Sequence, residues 1–64
     1  MRVELLLAYA DHTWATDVVT VPEDELAGVE DVDGEIVRWA LDKLSPLPEY
    51  HDVVFWGVYG YPAD

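Results

Sequence analysis

The sequence predicts an α+β fold of order ββαβ: a three-stranded antiparallel sheet in spatial order 2-1-3 with one amphipathic helix packed on one face. Three observations predict it. An apolar stretch with one internal charge, RVELLLAYA, and one rich in Thr, Val and Trp, TWATDVVTV, precede Pro22, and DVVFWGVYGY follows His51. Between them Ile36, Val37, Ala40, Leu41 and Leu44 recur on one side of a 3.6-residue period. Pro22, Gly28, Pro46 and Pro48 stand at the joins.

Strand 1 is expected over Arg2 to Ala10 and strand 2 over Thr13 to Val21, ended by Pro22, which has no N–H to donate. Asp11 and His12 between them suggest a two-residue hairpin loop. That loop sets Tyr9 opposite Trp14, Leu5 opposite Val18 and Val3 opposite Thr20. A three-residue loop would flip strand 2 relative to strand 1; the first register is preferred because it pairs two aromatics and keeps Glu4 with Asp17, away from the helix. The segment from Pro22 to Gly28 suits one helical turn. The main helix is expected over Val32 to Leu44, capped by Asp31 or Asp33, with Lys43 suited to its C-terminal dipole and the prolines stopping it. Strand 3 spans Asp52 to Tyr61. Val53, Phe55 and Tyr59 are expected to face the helix, and Asp52, Val54, Trp56 and Val58 the open side. A helical crossover makes strand 3 parallel to strand 2 and hence antiparallel to strand 1. The expected core is Val3, Leu5, Leu7, Phe55, Ile36, Val37, Ala40, Leu41 and Leu44.

Sixty-four residues make one domain. With no Cys, neither a disulfide nor a thiolate metal site supports it. A hydrophobic fraction of 52% is too high for a disordered acidic tail. Fourteen Asp and Glu face three Lys and Arg, a formal net charge of -11. That balance argues against direct nucleic-acid binding, which draws on basic groups, and against anionic membranes; it favours a basic partner. No apolar run reaches membrane-spanning length and no leader pattern opens the chain, so a cytoplasmic protein is expected.

Chemistry is sparse. Ser45, the sole serine, precedes Pro46 without a strand-to-helix elbow, and no glycine pattern cradles a phosphate. Neither a catalytic residue nor a cofactor is expected. His12 and His51 fall at one end of the sheet beside Asp11 and Asp52. These are metal-binding residue types, but both histidines are read as solvated loop residues and no metal is assigned.

The acidic run from Pro22 to Glu35 holds seven carboxylates: Glu23, Asp24, Glu25, Glu30, Asp31, Asp33 and Glu35. Two or three are explained by a helix N-terminus. The candidate partner-binding residues are Glu4, Asp17 and Asp52 on the open sheet face with Trp56 as apolar anchor, supported by Glu23, Asp24, Glu30 and Asp31. Same-face strand carboxylates recur every ~6.7 Å and can stand in for successive phosphates.

In size, charge and element order the chain resembles the very small, strongly acidic phage proteins that mimic DNA. It is most like an anti-CRISPR protein directed at a type I effector complex. The resemblance carries no signature motif. It implies an inhibitor in the cytoplasm of a bacterial host cell, binding the DNA-reading surface of a large Cas8-type subunit, as a monomer rather than a homodimer. The alternative is a salt-adapted or housekeeping protein-interaction domain, possibly homodimeric, whose acids only solvate it.

Overall fold

In a computed structural model, which describes residues 1–63, the elements are β1 (Arg2–Tyr9), β2 (Trp14–Thr20), α1 (Val32–Lys43) and β3 (Val53–Gly60), with 3₁₀ turns at Glu23–Leu26 and Pro48–Tyr50. The sheet has the expected order β2-β1-β3 and both pairings are antiparallel. The helix covers one face; the other is open.

The hairpin takes the longer loop. Tyr9 N–H donates to the Thr13 carbonyl at 2.8 Å, which leaves Ala10, Asp11 and His12 as a three-residue connection. A two-residue turn that matches strand twist needs positive φ at both central positions or, in type II′, at the first, where Gly is preferred. The three-residue form needs it once, and His12 supplies it at φ 71°. The Asp11 carboxylate accepts from the Thr13 N–H and hydroxyl, holding the loop shut; those two bonds, the hydroxyl's foremost, lower the Asp11 pKa.

This loop shifts the expected register by one residue. Val3 pairs with Val19, Leu5 with Asp17, and Ala8 with Trp14. Every side chain of β2 therefore lies on the opposite face from the one expected. Asp17 and Val19 turn toward the helix side; Trp14, Thr16 and Val18 turn away.

On β3, register shifts fall between Ala8 and Tyr9 and between Glu4 and Leu5, so Val54 and Tyr59 are extra residues with no β1 partner. Val53 packs against the core as expected, but the irregularity at Val54 resets the alternation. Trp56, opposite Leu7, is 7% exposed and Val58, opposite Leu5, packs beside it. Phe55, expected in the core, faces out at 55% exposure.

The core is Val3, Leu5, Leu7, Val21, Ile36, Ala40 and Trp56. Val37 and Leu44 are partly buried against it, whereas Leu41 is 49% exposed. At ~100° per residue Leu41 lies about 120° round from the Ile36–Ala40 line. Trp39, on the other flank, packs in its place. Asp31 is the N-cap, accepting from Gly34 N–H at 3.0 Å. A Cβ at position 34 would collide with that carboxylate, so the cap and the glycine belong together. Met1 closes the lower end of the sheet through its carbonyl, which accepts from Val21 N–H at 2.8 Å.

Candidate interaction surface

The open face is a grid read directly from the pairing. Trp14, Ala8 and Phe55 form the row nearest the hairpin; Thr16, Leu6 and Gly57 form the next; Val18 and Glu4 follow beside Gly60, and Thr20 with Arg2 ends it. Small residues at the centre let large ones lean in. The Phe55 ring lies over Gly57, where a Cβ would sit 3.2 Å from its edge. Leu6, Ala8, Trp14 and Tyr59 line a shallow apolar hollow. Trp14 is 65% and Tyr59 60% exposed. The result is a contiguous aromatic patch of a kind that soluble monomers keep small.

The sequence carries a signal for this patch beyond that of single residues. In β1, Leu5, Leu6 and Leu7 are consecutive, and β3 runs Val-Val-Phe-Trp-Gly-Val-Tyr. Strands with one wet face alternate apolar and polar residues; near-continuous apolar runs belong to strands covered on both faces. One helix can cover only one face. That a second sheet face is apolar and needs a cover was thus legible, but not that Trp14, Phe55, Tyr59, Leu6 and Val18 form it.

The carboxylates expected to share this face do not. Glu4 is on it, half-buried, opposite Val18 and Gly60. Asp17 is on the helix side, where its Oδ2 accepts from the Tyr50 hydroxyl at 2.6 Å. Asp52 stands at the hairpin end, by a recess lined by Tyr9, Ala10, Asp11 and Thr13, and pairs with His51 at 3.1 Å. Trp56 is buried against Tyr50, ring centroids 5.4 Å apart, and offers no anchor to a partner. The expected row of sheet carboxylates is therefore dispersed by the register shift and the irregularity at Val54. Among the described residues no cluster of three His, Asp or Glu is placed to hold a metal ion.

Glu23, Asp24, Glu30 and Asp31 are exposed around the lower end, where the first 3₁₀ turn leads into the start of α1. Tyr61 donates its hydroxyl to Asp33 there, and this bond, with burial and the charges of Asp33 and Asp31, raises its pKa to about 12. Farther along α1, Arg38 pairs with Glu35 and Lys43 with Asp42, each at 3.6 Å. Arg2, at the foot of the open face, forms no ion pair among the described residues. No described helix is long and apolar enough to cross a membrane.

Comparison of the chain with protein-family models, curated proteins and solved structures found no match.

Proposed function

We propose that this chain is a non-catalytic protein-interaction domain that works by having its open sheet face covered. The observation that carries this reading is the contiguous exposure of Trp14, Phe55 and Tyr59 on a face backed by apolar strands. Aromatic side chains grouped on a firm backbone are the residues that anchor protein contacts. The acids keep such a surface soluble and turn away unspecific association. The test is affinity capture with wild type, Phe55→Glu and the double reversal Glu23→Lys/Asp24→Lys. Loss of the partner with Phe55→Glu alone supports the reading; retention by Phe55→Glu overturns it.

A second reading, a DNA-mimicking inhibitor of a basic DNA-reading surface, draws on the gathering of Glu23, Asp24, Glu30 and Asp31 at the lower end. Its contact would be that end and not the sheet. It calls for loss of binding on the Glu23→Lys/Asp24→Lys reversal, weakening of binding by salt, and competition with duplex DNA at a type I effector complex.

A further inference from the structure

We infer that the occupant of the open face is a second copy of this chain, stacked face to face about a two-fold axis so that the lower end of one sheet lies over the hairpin end of the other. The inference rests on the interaction-domain reading and goes further by naming the partner.

Charge distribution argues for it first. The chain has fourteen carboxylates, yet among the described residues the face holds only one, Glu4, with one of the three basic side chains, Arg2. A face built for a basic partner would carry acid; one built for an acidic partner would carry more than one cation. A neutral apolar face on a chain of net charge -11 suits a partner that is itself acidic everywhere else. The chain itself meets that description, and a two-fold interface needs only a self-complementary patch.

Area agrees. Three strands ~4.8 Å apart and about seven residues long make a face of roughly 15 × 24 Å. Trp14, Phe55 and Tyr59 are each more than half exposed, and at ~150–250 Å² per aromatic they leave about 350 Å² uncovered. The remaining rows bring the face toward the ~800 Å² per partner of a standard stable interface. Sheets packed in this way sit ~10 Å apart with interleaved side chains, and the hollow between Trp14, Ala8, Leu6 and Tyr59 gives a partner's ring somewhere to enter.

Charge also selects the orientation. Glu23, Asp24, Glu30 and Asp31 crowd the lower end, so stacking lower end on lower end sets like charges together. The opposite orientation separates them. With the axis crossing β1 between Glu4 and Leu6, Arg2 of one copy lies over the Trp14–Ala8–Phe55 row of the other, where a guanidinium can rest on an aromatic face. On this inference the chain is a dimer, where the sequence reading expects a monomer.

The experiment is sedimentation equilibrium from micromolar to millimolar protein, at low and high salt, with the summed tryptophan emission followed on dilution. The expected result is a dimer that tightens as salt screens the repulsion between two copies, with the emission shifting to the red as dissociation uncovers Trp14, the one of the three tryptophans on this face. Phe55→Glu weakens the dimer by roughly a hundredfold or more, because a two-fold interface meets each substitution twice. Arg2→Glu weakens it less, and neither changes the far-ultraviolet circular dichroism. Should Phe55→Glu unfold the chain, Thr16→Lys, at an exposed position of the same face, is the replacement. Monomers throughout at high salt overturn the inference, as does a dimer that survives both open-face substitutions. A monomeric wild type that still captures a partner in a Phe55-dependent way removes the second copy but leaves the interaction domain standing; one that captures nothing removes both.

Discussion

The Tyr50 hydroxyl donates to Asp17 at 2.6 Å, bridging residues 33 apart in the chain and tying the turn before β3 to the middle of β2. The same ring packs on Trp56. The helix leaves this part of the sheet to Tyr50, so one side chain closes the core where α1 does not reach. Asp17 is thus a structural acceptor, although the sequence pattern marked it as a surface charge.

Removing the bond tests that role. Tyr50→Phe keeps the ring and loses the donor, and should cost about 1 kcal/mol, below the ~1.5–3 kcal/mol of a bond to a charged group because the pair is only part-buried. Asp17→Lys should cost more, since it removes the acceptor and puts a cation on the half-buried helix side of β2. Urea unfolding measures both. An Asp17→Lys variant as stable as wild type would mean that Tyr50 is held by ring packing alone.

Alkaline pH reads the same contact. The bond to the Asp17 carboxylate, with burial and nearby charge, raises the Tyr50 pKa from 10.0 to about 12. The folded state therefore keeps its proton where the unfolded chain releases it. The stability this contributes is complete below pH 10 and is lost as pH rises from 10 through about 12. Tyr61, bonded to Asp33, adds a weaker dependence of the same sign because it is more exposed. Urea midpoints across that range should fall for wild type, fall less for Tyr50→Phe, and change little from wild-type slope for Tyr61→Phe.

The helix register is tested by a pair of truncations. Ile36 is fully buried, so Ile36→Ala should cost ~2–5 kcal/mol; Leu41 is half-exposed, so Leu41→Ala should cost under ~1 kcal/mol. Equal losses would place Leu41 in the core, as its spacing alone suggests.

Element identity and order were legible in the sequence because prolines, the 3.6-residue stripe and β-rich runs bound each segment independently. Facing was not. It depended on His12 entering the left-handed region to permit a three-residue loop, and on Val54 breaking the alternation of β3. Neither event has a composition signal; the first exchanges the two faces of β2, and the second exchanges those of β3 after Val54. Phe55 and Trp56 traded places for this reason, and the candidate surface changed from acidic to aromatic with them.

The hairpin offers a stabilising change. His12 at φ 71° bears the strain of a side chain in the left-handed region. His12→Gly should stabilise the monomer by about 0.5–1 kcal/mol, the native strain relieved exceeding the entropy that glycine adds to the unfolded chain. Thermal melts compare the two; a lower midpoint for the glycine variant would show that the His12 ring contributes packing that outweighs its strain.

Salt should act on folding through the net charge of -11. The longest dimension of the fold is 36 Å. At ~0.01 M salt the screening length is about 30 Å, so nearly every carboxylate repels every other; at ~0.1 M it is about 10 Å and only neighbours interact. Only Arg38 and Lys43 among the basic side chains are paired with acids in the described residues, which leaves most of the repulsion unanswered. The gain on adding salt should be ~1–2 kcal/mol, a rise in melting temperature of about 7–15 °C for a domain of this size. Melts run at a protein concentration low enough to keep the chain monomeric separate this effect from association. Reversing Glu23 and Asp24 to Lys removes four units, taking -11 to -7, at the most crowded end of the sheet. That variant should melt higher than wild type at low salt and respond less to added salt. A wild-type melting temperature that does not move with salt would mean the carboxylates are already far enough apart, and the acidity would then impose no cost on the fold.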